Sequence, residues 1–285
     1  MGLIDNRMLE NVTEPTVVIE PSKGLFDVDF KAIWQYRELL YFLVWRDLKI
    51  RYKQTAMGVG WVVLQPLVTM IIFTVIFGHF AKIPSDGLPY PVFSYCALLP
   101  WNYFATALQR CVNSIVGDAA LVSKVYFPRL ILPIVGTMSG LFDFAISFLL
   151  LLAMMVWYNV SVTWSALLVP FFIVLALATA LAVGLWLSAL NVRYRDVGFT
   201  IPFVIQAWMF ASPVVYPVSI VPEKFRLLYS LNPMVGVIEG VRGSLLGKGS
   251  LDFGVLLISV LVVSLLLFGG LVFFRNVERT FADNI

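Results

Sequence analysis

The chain has 285 residues, of which 60% are hydrophobic, 15% are aromatic and 13% are charged. Soluble globular proteins carry about 25% charged residues, so this composition excludes a soluble helical bundle and indicates a protein that resides in a membrane. The formal net charge of +3 gives no indication of a nucleic-acid partner, because the basic residues follow the boundaries of apolar runs.

Residues 1–30 are polar, contain Pro15 and Pro21, and are predicted to form an extended cytoplasmic N-terminal arm. Residues 31–285 are predicted to form one transmembrane domain. It contains six apolar runs near the length of about 20 residues that a membrane-spanning helix needs. The runs cover approximately Trp61 to Phe80, Val92 to Leu108, Leu130 to Trp157, Ala166 to Leu190, Phe199 to Pro217 and Phe253 to Phe274. The predicted fold class is therefore an all-α membrane protein with six transmembrane helices.

The basic residues cluster on alternate connecting segments. If the N-terminus is inside, 15 of the 20 Lys and Arg residues lie on the inner segments and five on the outer ones. Because Lys and Arg in short flanking segments are retained on the cytoplasmic side, both termini are predicted to be cytoplasmic. Residues 1–20 lack the long apolar stretch of a cleavable signal, so the first span is expected to target the chain.

The segment from Lys31 to Lys53 has the pattern of a helix that lies on a membrane surface. Aromatic and apolar residues share one helical face, whereas basic residues form a separate stripe; the two sets are Trp34, Tyr41, Trp45, Leu48 and Tyr52, and Arg46, Lys49 and Lys53. In such a helix the aromatic rings enter the headgroup layer and the cations remain in water. The alternative is a helix packed on a soluble domain.

The inner loop after the second span combines charges with apolar residues, namely Leu121, Val122, Val125, Tyr126 and Phe127. A loop that faces only water has little reason to carry this set, so the pattern favours a short helix that docks into another protein. Simple anchoring at the membrane interface is the alternative. A second inner loop, residues 191–196, is basic enough to contact lipid phosphate or a partner.

The segment from Val218 to Ser250 is predicted to form two short helices between the fifth and sixth spans. Asn232 and Pro233 suit the N-cap and first position of the second helix, and Gly247 can end it. Both helices are too short to cross the membrane, so they indicate a re-entrant or surface hairpin on the outer side. Irregular backbone at membrane depth is tolerated only where protein or water covers it, so the hairpin is expected to border a cavity.

Asp143 is the clearest charge inside a predicted span. Burying a carboxylate there costs about 2.5 to 3.5 kcal/mol, so it is expected to face a partner or a wet cavity. It is interpreted either as a pore-lining or gating residue or as a hydrogen-bonded structural acid.

No stretch fits the phosphate-binding G-x-x-x-x-G-K-[ST] motif, and the chain has a single histidine, His79, so no nucleotide, metal or catalytic site is predicted on it.

Several short motifs occur in a characteristic order. They are Trp45-Arg46-Asp47-Leu48-Lys49-Ile50-Arg51-Tyr52-Lys53, Gly58-Val59-Gly60-Trp61, Gln65-Pro66, Leu98-Leu99-Pro100-Trp101, Lys124-Val125-Tyr126-Phe127-Pro128-Arg129, Asn191-Val192-Arg193-Tyr194-Arg195-Asp196 and Leu231-Asn232-Pro233-Met234. In this order they resemble the permease subunit of type 2 ABC exporters for O-antigen and capsular polysaccharide, over nearly the whole chain from about Val18.

The resemblance implies a homodimer of six-helix subunits with two copies of a separate cytoplasmic ATPase, which would hold ATP and Mg, and no cofactor on this chain. A lipid-linked polysaccharide would pass between the two permease chains, in a bacterial inner membrane. The helix at residues 31–53 would be the interface helix and the hairpin from Val218 to Gly247 an outer gate. The coupling residues seated in the ATPase would be Gly117, Asp118, Leu121, Lys124, Val125, Tyr126, Phe127, Pro128 and Arg129.

Further candidate residues follow from the chemistry of such a substrate. An anionic lipid pyrophosphate needs cations at the inner headgroup level, for which the candidates are Arg46, Lys49, Arg51, Lys53, Arg193 and Arg195. Aromatic rings can slide along sugar faces, so the channel or gate candidates are Trp101, Tyr103, Phe104, Trp208, Phe210 and Tyr216, with Asp143, Asn232, Pro233 and Glu239. For each aromatic residue, helix packing or a place in the lipid-interface belt is the alternative.

The expected function is therefore the permease half of an ATP-driven exporter of a lipid-linked polysaccharide, with O-antigen as the first choice of substrate. Within the same family, export of teichoic acid, capsule, a drug or a lipid remains open. An ion-coupled secondary transporter and an intramembrane enzyme are rivals from other classes.

Overall fold

The computed structural model describes residues 30–53, 58–247, 253–278 and Phe281, and these residues form helices and connecting loops without a β-strand. The predicted N-terminal arm lies outside the described residues, apart from its last residue. Within the described part, the predicted all-α fold class is confirmed.

Twelve α-helices follow one another along the described chain. They are α1 (Phe30–Gln35), α2 (Arg37–Lys53), α3 (Gly60–Phe73), α4 (Tyr90–Gly117), α5 (Ala119–Lys124), α6 (Ile131–Met138), α7 (Leu141–Trp157), α8 (Val169–Arg193), α9 (Asp196–Phe210), α10 (Glu223–Ser230), α11 (Pro233–Leu246) and α12 (Phe253–Glu278). A π-helical segment, Thr74–Phe80, continues α3, and a 3-10 segment, Trp164–Leu168, leads into α8.

Helix α4 is at the centre of the fold and packs against α3, α6, α7, α8 and α11. Glycines on two of its neighbours allow a close approach. A side chain at Gly184 of α8 would overlap the Cys111 sulfur, and a Cβ at Gly136 of α6 would lie 3.0 Å from the backbone of Arg110 and Cys111. Since helices in a membrane associate largely by van der Waals packing, these small residues hold α6 and α8 on α4.

Four helical segments in the described chain are long and apolar enough to cross a membrane, namely Gly60–Phe80, Ile131–Trp157, Trp164–Arg193 and Phe253–Glu278. Two other predicted spans differ from this pattern. Helix α4 has 28 residues but a less apolar composition, and α9 is apolar but has 15 residues. The chain is therefore a multi-pass membrane protein, and the count of six spanning helices stays a prediction.

The bundle has two distinct ends. The C-terminal ends of α4, α8 and α12 lie together with α5, because Asn191 bonds to the Val112 carbonyl at 3.1 Å and Arg129 bonds to the Glu278 carbonyl at 2.6 Å. We call this the basic end. The N-terminal ends of α4, α8 and α12 form the opposite end, next to α10 and α11.

The predicted caps of α11 are confirmed. The side-chain oxygen of Asn232 accepts a hydrogen bond from the Met234 amide at 3.1 Å, and Gly247 ends the helix with a left-handed φ of 63°. Helix α11 is buried on nearly every side by its contacts with α4, α8 and α12. Its partner α10 is mostly exposed. Whether the pair enters the membrane as a re-entrant hairpin stays a prediction.

Candidate functional site

The candidate site at the basic end is built around residues 117–129, which we call the coupling loop after its predicted role. Its first part is α5 and its second part is extended at Val125. Val125 and Tyr126 are 51% and 68% exposed, whereas Val122 and Phe127 are buried in a cluster with Leu43 of α2. Of the apolar residues expected to face a partner, only Val125 and Tyr126 are therefore well exposed, with Leu121 half-buried. Val122 and Phe127 hold the loop on its own subunit.

Helix α2 holds one side of the coupling loop. The Arg46 guanidinium lies 3.0 Å from an Asp118 carboxylate oxygen and 2.9 Å from one of Asp47. The hydrogen bond to Asp118 raises the pKa of Arg46 above its ordinary value. Gly117, which precedes Asp118, has open space where a Cβ would lie.

The end of α12 holds the other side of the coupling loop. Arg129 donates a side-chain hydrogen bond to the Glu278 carbonyl at 2.6 Å, and its backbone amide donates to the Glu278 carboxylate at 3.3 Å. Phe281 is fully buried, with its ring 5.3 Å from that of Phe274 and 5.9 Å from the Arg129 guanidinium. Sequence reasoning missed Glu278 and Phe281. Little in the sequence indicates their role, because they are a carboxylate and a phenylalanine among polar residues after the last apolar run.

Asp143 joins α2, α4 and α7. Both Arg51 and the Tyr52 hydroxyl donate hydrogen bonds to its carboxylate. Arg110 of α4 lies 3.4 Å from the same carboxylate and donates to the Ser139 hydroxyl at 2.9 Å. Burial and the bond to Asp143 raise the pKa of Tyr52 to about 12, so its phenol is neutral at physiological pH and acts as a donor.

The surroundings of Asp143 also refine its predicted position. The third predicted span is divided into α6 and α7 by a break at Ser139 and Gly140, so Asp143 lies in the first turn of α7. It is held by two cationic side chains and is 21% exposed. This arrangement fits the interpretation as a hydrogen-bonded structural acid better than that of a pore-lining charge.

The other predicted basic residues at this end are exposed. Lys49 and Lys53 lie on α2, and Arg193 and Arg195 lie at the junction of α8 and α9. Arg193 is placed over the Tyr194 ring, 5.5 Å from its centroid. Together they give the basic end four cations that solvent or an anionic ligand can reach.

The predicted channel aromatics divide into buried and exposed residues. Trp101, Tyr103 and Phe104 are at most 3% exposed and lie in the subunit core, where they pack rather than face an open surface. Trp208 is half-buried, and its ring lies 5.0 Å from that of Phe104. Phe210 is 52% exposed. For the three core residues, the structure therefore favours the alternative of helix packing.

Asn232 connects the end of α9 to the hairpin. Its side-chain oxygen accepts a hydrogen bond from the Trp208 indole at 2.9 Å, and its amide donates to Ser212 at 2.9 Å. Nearby, Tyr216 accepts a hydrogen bond from the Tyr229 hydroxyl at 3.1 Å. Pro233 is buried directly after Asn232. Among the predicted gate residues, Trp208 and Asn232 are therefore joined by a hydrogen bond, whereas Tyr216 bonds separately to Tyr229.

An aromatic face of α9 was only partly anticipated from the sequence. Phe199, Phe203 and Phe210 are 79%, 75% and 52% exposed, and their spacing of four and seven residues places them on one side of the helix. We call these three residues the α9 aromatic face. Helical spacing within the fifth apolar run was the signal for Phe199 and Phe203.

Glu239 and Arg242 form an ion pair in α11 at the opposite end. The guanidinium lies 2.6 Å from the Glu239 carboxylate, donates to the Pro213 carbonyl at 3.0 Å and is 3.8 Å from the centre of the Phe93 ring. Arg242 is 1% exposed. Among the described residues, no group of His, Cys, Asp or Glu side chains is arranged to hold a metal ion.

These features define a helical, multi-pass membrane protein. An ion pair and hydrogen bonds hold a short loop at its basic end, and a capped helical hairpin lies at the opposite end. The sequence profile described as ABC-2 type transporter matches residues 38–246, and the chain belongs to that family.

Three relatives align with most of this chain and with more than nine-tenths of their own length. The chain is 30% identical over 258 residues to an O-antigen export system permease protein, RfbA, of Myxococcus xanthus, an alignment that covers 90% of this chain and 98% of the relative. It is 26% identical to a protein of the same name from Klebsiella pneumoniae, over 86% of this chain and 94% of that one. A polysialic acid transport protein, KpsM, of Escherichia coli is 24% identical, with 82% and 91% covered.

Proposed function

We propose that this chain is the permease subunit of an ATP-driven exporter that moves a lipid-linked O-antigen polysaccharide across a bacterial inner membrane. The observation that carries the proposal is the similarity to an O-antigen export permease over 98% of that protein's length. The basic end would face the cytoplasm, because Lys and Arg are retained there. Both termini would then be cytoplasmic.

The energy would come from a separate ATPase, present in two copies, that binds ATP and Mg. Its groove would receive the coupling loop through Val125 and Tyr126, the exposed apolar residues of that loop. Arg46 and Glu278 support the proposal because they fix the loop to α2 and α12. A movement of the loop would therefore be passed to both helices.

The substrate path would lie between two copies of the permease. Lys49, Lys53, Arg193 and Arg195 are exposed cations that suit the pyrophosphate of the lipid carrier. The α9 aromatic face would line the path, because aromatic rings offer sugars flat apolar contacts without deep binding wells. The hairpin of α10 and α11 would form the outer gate.

The coupling assignment can be tested with Val125→Asp and Tyr126→Ala in the full transporter. A charge or a truncation in a docking contact is expected to weaken retention of the ATPase subunit by about tenfold or more in a pull-down from detergent. The matched controls are Val162→Asp and Tyr158→Ala, which change exposed residues at the opposite end. Undiminished retention by both loop variants would contradict the assignment.

A capsular polysaccharide is the second candidate substrate, because the chain is 24% identical to a polysialic acid transport protein. Complementation separates the two. The chain is expected to restore surface O-antigen in a strain that lacks its O-antigen permease and not to restore a capsule. The reverse result would favour the second substrate.

An ion-coupled secondary transporter is less well supported by the surroundings of Asp143. Such a protein needs a carboxylate that can bind and release an ion, whereas Asp143 is held by Arg51, Arg110 and Tyr52. Purified permease in vesicles is expected to move no glycan on an ion gradient alone. Glycan movement under that condition would support the rival function.

A further inference from the structure

A cavity of about 400 Å³ lies at the opposite end of the bundle, between α8, α10, α11 and α12. Its wall is mainly apolar and aromatic, with Phe171, Phe172, Phe253 and Leu256 among its residues. Gly240 is part of this wall, and a side chain there would overlap the Phe172 ring, so only glycine allows this packing. The volume is within the range of about 300 to 1,000 Å³ that is usual for small-ligand sites.

The polar part of the wall carries both signs of charge. Asp86, Glu239 and Arg226 line the cavity with Ser219 and Tyr229. Glu239 is already neutralised by Arg242, at 2.6 Å. The remaining charges are one carboxylate, Asp86, and one guanidinium, Arg226. The Asp86 carboxylate accepts a hydrogen bond from the Ser219 hydroxyl at 3.2 Å, and Arg226 is 4.0 Å from the largely exposed Glu223.

The charges and aromatic rings of this cavity wall favour some membrane lipids over others. A lipid pyrophosphate would bring several negative charges to a wall that has one guanidinium, Arg226, and one carboxylate without a cationic partner among the described residues, Asp86. Repulsion by Asp86 disfavours it. A zwitterionic lipid has one phosphate and one ammonium group, which match Arg226 and Asp86. The aromatic rings of the wall add cation–π attraction for the ammonium group.

We propose that this cavity binds the headgroup of an amine-bearing, zwitterionic phospholipid from the membrane leaflet at the opposite end. The ammonium group lies between Asp86 and the aromatic wall, and the phosphate lies at Arg226. The first part of an acyl chain contacts Phe171, Phe253 and Leu256. A lipid in this position bridges α8 and α12 to the hairpin of α10 and α11.

The site goes beyond the proposed function, because binding needs neither the ATPase nor the polysaccharide. The test therefore uses the purified full-length permease without nucleotide. Phosphatidylethanolamine and phosphatidylglycerol with identical acyl chains are added in equal amounts to detergent micelles, and the retained lipid is measured by native mass spectrometry. We expect one phosphatidylethanolamine per chain to be retained in preference, by about fivefold.

Two substitutions remove the charges that define the site, Asp86→Asn and Arg226→Gln. Asn tolerates the left-handed backbone of position 86, where φ is 51°, so the turn is preserved. Each substitution is expected to lower the ratio of retained phosphatidylethanolamine to phosphatidylglycerol to between about one and two. The matched control is Lys224→Gln on the same exposed helix as Arg226, because Lys224 does not line the cavity.

Three outcomes would overturn the site. They are equal retention of the two lipids by the unmodified protein, several weakly held lipids without selectivity, or an unchanged preference in both charge variants. Asp86 and Arg226 are exposed or only partly covered, so their variants are expected to fold. The thermal unfolding of each variant in the same detergent confirms this before lipid is added.

Discussion

Arg46 and Asp118 connect α2 to the coupling loop through side chains that are 31% and 25% exposed. Solvent screens such a pair, so its contribution to stability is about 0.5 kcal/mol. We expect Arg46→Gln and Asp118→Asn each to lower the initial rate of glycan export by about two- to threefold in vesicles with the ATPase. The double variant should be no slower than the slower single variant, because both changes break the same contact.

Glu38→Gln is the control for the Arg46 series, because Glu38 is an exposed charge on the same helix, eight residues before Arg46. If the fold-reduction in export rate of the double variant equalled the product of the two single reductions, Arg46 and Asp118 would act independently. Rates equal to that of the control would show that the pair has no part in coupling.

The ion pair of Glu239 and Arg242 is much less exposed than that of Arg46 and Asp118, because its side chains are 16% and 2% exposed. Removing one partner of a buried pair leaves an uncompensated charge, which costs about 3 to 5 kcal/mol. We expect Glu239→Gln to destabilise the purified permease by about 3 kcal/mol. Thermal unfolding in detergent measures the loss. Adding Arg242→Met should restore much of it, since the unpaired charge is then gone, and no recovery would contradict this explanation.

At the scale of elements, Asp143 holds α2 against α7. Without its charge, Arg51 and Arg110 would repel each other across the same site. We expect Asp143→Asn to loosen α2 and to speed hydrogen exchange of its amides by about tenfold, because local opening becomes easier. Hydrogen exchange with mass spectrometry in detergent measures the rate for each peptide.

Asp47→Asn is the control for Asp143, because its carboxylate contacts Arg46, the preceding residue on the same helix. Its α2 amides should exchange close to the unmodified rate. If Asp143→Asn left α2 as protected as this control, the three-helix contact at Asp143 would not hold the helix.

Local signals made some elements predictable from the sequence. The caps of α11 at Asn232 and Gly247 depend on residue type and position within one turn, so they could be predicted correctly. The burial of Phe127 could not be predicted. It depends on Phe281 and other residues of the same cluster, which are far apart in the chain. The break in the third span was missed since Ser139 and Gly140 do not interrupt its hydropathy.

At the scale of the whole molecule, the two ends of the bundle differ in chemistry. The basic end carries exposed cations and a coupling loop fixed to two helices, whereas the opposite end carries a nearly fully buried helix beside an aromatic cavity. Helices α4, α8 and α12 run between the ends and pack against each other or against α11. A displacement of the coupling loop therefore has continuous packed helices along which it can reach the hairpin.

The α9 aromatic face tests whether two copies enclose the proposed path. In a symmetric dimer, a residue near the two-fold axis faces its own counterpart. We expect Phe203→Cys in membranes to give a dimer with a short bismaleimide cross-linker, whereas Leu149→Cys on α7, which is 66% exposed, should remain monomeric. Cys96 and Cys111 are buried and should contribute no background. Cross-linking at Leu149 equal to that at Phe203 would place the α9 aromatic face against lipid instead of in a path between subunits.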